Sequence, residues 1–201
     1  MYVLVESGTI TKHFNHPRGF TLGNLQYPAD IFMKWSVEEK EAIGIYEVVF
    51  NDSNKKNEKW YINTDQSYAF ANDTVTASYG TATPKAHADT LFTADDETDG
   101  LGIEGEINTR GLKYNLIKDL KITVANELAK TDWYITRNTE KSTAIPSAIS
   151  THRDAVRTKQ ASMETAITNA SDTPALETLY TYTTTDGVQS RPLGTLPTLE
   201  L

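Results

Sequence analysis

The apolar residues of this chain change period near its middle, and no one kind of element accommodates both patterns. Over roughly residues 1–85 they alternate or cluster in short β-prone runs; from Leu112 onward they recur every three or four positions. Alternation suits a strand with one buried face, and a three-to-four repeat suits a helix. The chain is therefore expected to be α+β: a small N-terminal antiparallel β domain (1–85), then a helical hairpin region (112–182). Between them, residues 86–111 read as an acidic, glycine-containing linker, and residues 183–201, rich in Thr, Pro and Gly, as an extended tail.

In the first part, Tyr2–Glu6 and Thr9–Phe14 flank the turn signal Ser7-Gly8 and predict a hairpin. Pro28 opens a short helix with Ile31, Phe32 and Trp35 on one face, and Gly44 stops it before the strand Ile45–Phe50. Trp60-Tyr61-Ile62 with Ser67–Ala71 reads as a strand pair, and Thr74–Tyr79 as another strand. In the second part, Leu112, Leu116, Ile117, Leu120, Val124 and Leu128 form a stripe that ends near Asp132. Pro146 begins the next helix, whose apolar face is Ile149, Val156, Met163 and Ile167, spaced seven, seven and four. Arg153, Asp154, Arg157, Lys159 and Glu164 are expected to cover its solvated side. Ser171 to Pro174 then caps a third helix, Ala175–Tyr182. Two such narrow stripes can bury against each other in a hairpin or against copies of the chain.

Charge and residue usage remove several classes of function. The net charge is −8 and no basic block occurs, which argues against phosphate-backbone binding. The chain contains no cysteine, so disulfides, thiolate metal sites and Cys nucleophiles are out. Met1 to Gly8 lacks a basic n-region, and no apolar run approaches the roughly 18 residues of a membrane span. A soluble chain made in the cytoplasm, binding neither nucleic acid nor membrane, is the expectation.

Signs of chemistry are few. There is no phosphate loop, nucleophile elbow or HExxH pattern, and no cofactor is expected. His13 and His16 sit beside a turn with only His87 and His152 elsewhere, so a surface role outweighs a metal pair. One local pattern stands out: Asp95, Glu97, Asp99, Gly100 and Glu106 occupy positions one, three, five, six and twelve of a calcium-loop template. Gly102 stands where that loop needs an apolar residue, and no entering helix precedes it. A solvated acidic linker is the favoured reading there. A chain with so little chemistry is expected to act through protein contacts and not as an enzyme. The candidate contact residues are Leu112, Leu116, Leu120, Val124, Leu128, Trp133, Ile149, Arg153, Val156, Arg157, Met163 and Ile167.

Two stretches carry a family resemblance. Leu25-Gln26-Tyr27-Pro28-Ala29-Asp30-Ile31, followed by Ala42-Ile43-Gly44-Ile45-Tyr46-Glu47-Val48, resembles the N-terminal signature of phage tail-fibre and fibre-assembly-like proteins. Thr131-Asp132-Trp133-Tyr134, Ala144-Ile145-Pro146 and Arg153-Asp154-Ala155-Val156-Arg157 resemble an ordered C-terminal segment of tailed-phage tail proteins, with His152 in place of the usual Tyr. Asp132 is expected to end one helix and Trp133 to bury its ring at the corner. The resemblance implies a structural component of a tailed-phage virion, associated with the tail fibre or baseplate and made in the host cytoplasm. Its partners would be other tail, fibre or baseplate proteins, and it would be a homo-oligomer, a trimer being favoured. The alternative is a fibre-assembly chaperone absent from the mature particle; more remote is a glycan-degrading tail enzyme with paired carboxylates.

Overall fold

A computed structural model describes residues 1–199 and divides the chain into two compact units, Met1–Thr83 and Pro84–Leu201. The fold is α+β, with strands dominating the first unit and helices the second.

Unit 1 opens with β1 (Tyr2–Glu6) and β2 (Thr9–Phe14), joined through Ser7 and Gly8 at φ 51° and 77°. Two consecutive positive φ values give the turn whose twist matches a hairpin. The short strands β3 (Phe20–Leu22) and β4 (Leu25–Tyr27) follow, then α1 (Ile31–Lys34) and α2 (Val37–Glu41). Ser36 separates the two helices by starting the second with a capping box to Glu39. Gly44, at φ +81°, then turns the chain into β5 (Ile45–Asn51). A Cβ there would run into the Val5 carbonyl oxygen, so glycine is required by space as well as by backbone. β6 (Tyr61–Ile62), β7 (Gln66–Ala71), β8 (Thr74–Tyr79) and β9 (Thr83–Pro84) complete the series.

The main sheet has the order β2-β1-β5-β8-β7. Its pairings are antiparallel except β5 with β8, which run parallel with Val48 opposite Val75. The expected pairing of residues 60–62 with 67–71 does not form, because β6 pairs with β9 and β7 pairs with β8. Alternation along β1 feeds two cores at once. Leu4 packs with Phe14, Phe20, Ile31, Phe32 and Ile45, whereas Val3 and Val5 pack with Val48, Val75 and Ala77. α1 covers the first face; on the second, the sheet curls until His13 of β2 meets the Tyr68 ring of β7 at 4.7 Å.

Unit 2 begins in the stretch expected to be a linker, and that expectation is corrected. Residues 84–111 contain β10 (Thr90–Leu91), α3 (Ala94–Thr98) and β11 (Ile107–Thr109), with β10 and β11 paired. α4 (Leu112–Ala129) comes next. A helix start leaves unsatisfied N–H groups, and the preceding chain supplies the acceptors. Leu112 and Lys113 donate to the carbonyls of Ala86 and His87 at 3.0 Å, and Gly111 donates to Asp89 Oδ1 at 2.8 Å. That close crossing needs Gly111, since a Cβ would strike the backbone of Ala88.

Beyond α4 lie α5 (Asp132–Lys141), α6 (Ser147–Asn169) and α7 (Thr173–Tyr180). α5 was not expected: its sequence is polar and rich in β-branched residues, with no apolar stripe to mark it. Pro146 stands at the cap of α6 and not within its first turn. Residues 183–199 also depart from the extended tail. β12 (Thr183–Thr185) and β13 (Val188–Ser190) form a hairpin about Asp186 and Gly187, both at positive φ. Leu193 is then buried, and its N–H donates to the Leu179 carbonyl at 3.0 Å.

Candidate functional site

The stripes offered by the sequence as contact surfaces are largely spent inside unit 2. Leu116, Leu120 and Val124 of α4 are buried, as are Ile149, Val156, Met163 and Ile167 of α6, and the two helices pack on each other. Leu112 and Leu128 are half-buried at the ends of the same stripe. The two stripes meet in an intramolecular hairpin, so Leu116, Leu120, Val124, Ile149, Val156, Met163 and Ile167 are corrected from exposed contact residues to core. Burying an apolar stripe once removes it as a docking face.

Arg153 is corrected as well. It was expected on a solvated face, but it is 8% exposed. Its Nη1 donates to the Leu128 carbonyl at 2.8 Å, to Thr131 Oγ1 at 2.6 Å and to Asp132 Oδ1 at 2.9 Å. The guanidinium thus caps the C-terminal end of α4, where carbonyls lack helical partners and a cation is favoured. Thr131 adds its own bond to the Leu128 carbonyl at 2.9 Å. Asp132 does not end a helix; it opens α5, where its carboxylate meets the N-terminal end of that helix as well as Arg153. Three helices are pinned at one point.

Beside this lock lies a second polar cluster, His152, Glu127 and Lys130. His152 is buried, with Nε2 3.4 Å from Glu127 Oε1 but without a hydrogen-bond partner. The Lys130 ammonium, bonded to Glu127 at 2.5 Å, holds that carboxyl below its ordinary value, with His152 adding a smaller effect in the same direction. Arg157 remains half exposed and reaches Asp154 at 3.4 Å.

Trp133 was expected to bury its ring and does not. It is 61% exposed at the first turn of α5, with the Arg137 guanidinium 5.9 Å from its ring. A pocket of about 170 Å³ lies nearby on the same helix pair, lined by Ile135, Ile145, Ser150, Arg153, Asp154 and Arg157.

The calcium-loop residues do not converge. Asp95 and Glu97 lie in α3, so the backbone is helical where the template needs a looped cradle. Asp96, outside the template's ligand positions, closes a capping box with Thr93, and Glu97 Oε2 accepts from the Glu104 N–H. Gly102 lies flat against the Phe92 ring, and Glu106 exchanges backbone bonds near it: its carbonyl accepts from the Phe92 N–H. Among the described residues no group of three or more His, Asp or Glu side chains is placed to hold a metal ion. The Thr93-to-Asp96 spacing is the signal that identifies this helix start in the sequence.

The chain matches no family model, no curated protein and no solved structure.

Proposed function

We propose that this chain is a structural component of a tailed-phage particle, tail-fibre or baseplate associated, that acts through protein contacts and not by catalysis. The observation that carries the reading is the division of labour within Thr131-Asp132-Trp133 and Arg153. Thr131, Asp132 and Arg153 have internal tasks, because they build the three-helix lock. Trp133 has none of comparable weight: the lock anchors the start of its helix and leaves the ring in solvent. Rigidly presented tryptophan and arginine side chains are the residues that most often dominate protein interfaces. The order of the same residues is also what gives the chain its resemblance to phage tail proteins.

Mass spectrometry of purified virions, from cells producing either the native chain or Trp133→Ala, tests the reading. The native chain is expected in the particle, and Trp133→Ala is expected to fold with an unchanged melting temperature yet be lost from it. Recovery of the native chain only with unassembled fibre protein would replace this reading with an assembly chaperone. Degradation of host surface polysaccharide by the pure chain would replace it with an enzyme.

A further inference from the structure

Beside the stripe buried against α6, α4 carries a second, partly exposed apolar face. Tyr114, Ile117, Ile122 and Ala125 line a shallow groove of about 510 Å³ together with Lys118 and Lys121. Tyr114 and Ile122 are 42% and 51% exposed. The six positions are spaced three, one, three, one and three apart, so they run as a band along three turns, about 17 Å of helix. That is the length over which an amphipathic helix lays its own apolar face into a groove.

The charges along the band decide between occupants. Among the described residues Lys118 has no ion-pair partner, and Lys121 reaches Glu164 only at 3.9 Å. At the N-terminal end the Arg110 guanidinium lies 4.2 Å from the Tyr114 ring, but its charge is already met by Asp89 at 2.6 Å. The charged side chains lining the band, Lys118 and Lys121, are thus both cations on a chain whose net charge is −8. A second copy is a poor occupant. Pairing α4 with itself would set Lys118 and Lys121 against the same two lysines, and like charges along a helical seam select against a partner. A helix carrying carboxylates at the facing positions and leucine-like side chains between them satisfies both the lysines and the exposed Tyr114 and Ile122.

We infer that the outer face of α4 is a docking groove for an acidic amphipathic helix of a different protein. It is separate from the Trp133 corner and does not depend on the particle being viral.

Two synthetic 18-residue helices with the same leucine stripe, one with glutamates flanking it and one with lysines, serve as probes for binding to the full chain by fluorescence anisotropy. The glutamate peptide is expected to bind at least about tenfold tighter, with the gap narrowing as salt is raised. Ile122→Ser, at a half-exposed position that leaves the fold intact by circular dichroism, is expected to weaken it by about tenfold. Lys118→Glu with Lys121→Glu is expected to invert the preference toward the lysine peptide. Equal binding of the two peptides, binding of neither below about 1 mM, or a preference unmoved by the charge reversal would overturn the inference. So would light scattering that shows a dimer abolished by Ile122→Ser, since the groove would then belong to a second copy.

Discussion

Arg153 spends one guanidinium nitrogen on three acceptors that belong to the end of α4 and the start of α5. Truncating it leaves the Leu128 carbonyl and Thr131 hydroxyl without their cation, so Arg153→Ala is expected to destabilise unit 2 by about 2–3 kcal/mol in urea unfolding. Asp132→Asn is expected to cost less, about 0.5–1 kcal/mol, because the Asp132 side chain is 60% exposed and solvent screens it. Comparable losses from the two substitutions would contradict the lock as described. Gly44 gives an independent test in unit 1. Gly44→Ala combines a φ of +81° with a collision at the Val5 carbonyl, and about 2 kcal/mol or more should be lost. Gly44 as a stop was readable in the sequence, since glycine after a helical run is a local signal. Burial of Arg153 was not, because Arg153 and Arg157 lie four apart and spacing alone puts them on one face.

At the scale of elements, α6 depends on a face whose members sit seven, seven and four apart, and all four are buried. Ile167→Ala removes buried methyl groups at a fully enclosed position and should cost about 2–4 kcal/mol, with the midpoint shifted and the slope unchanged. Helices with an apolar stripe were legible for this reason: the stripe repeats within a window of a few turns. α3 and α5 lacked one. α3 is held by the Thr93 cap, and α5 lies between the α4 end and the Ser142 turn at φ 51°. The stretch 84–111 looked like a linker because Asp, Gly and Thr dominate it. It folds because its carbonyls cap α4 and Thr173 bonds to the Lys85 carbonyl at 2.6 Å.

For the molecule as a whole, carboxylates tie stability to pH. In unit 2, the Gly111 N–H and Arg110 hold Asp89 below its ordinary value, the Thr93 backbone and hydroxyl do the same for Asp96, and Lys130 for Glu127. In unit 1, Glu38 is lowered by its backbone and Ser36 bonds. Depressed folded values mean that this stability is complete above the unfolded values of 3.8 and 4.5, and drains as pH falls through the lower folded values. Burial raises Tyr46 and Tyr180, so their contribution is complete below 10.0 and is lost as pH climbs through the raised values. Melting temperature should therefore fall as pH drops below about 4 and again as it climbs above about 10. A steady rise in melting temperature on acidification below 4 would contradict it. By itself the sequence determined the change of period between the two halves, the turns at Ser7-Gly8 and Gly44, the two apolar helix faces and the acidic balance. Each is set by backbone sterics or by a pattern contained in a few consecutive residues. Only the tertiary structure decided the parallel pairing of β5 with β8, the capping of α4 by residues 86–89, the burial of Arg153 and the exposure of Trp133. Those depend on groups far apart along the chain, as Leu128 and Arg153 are.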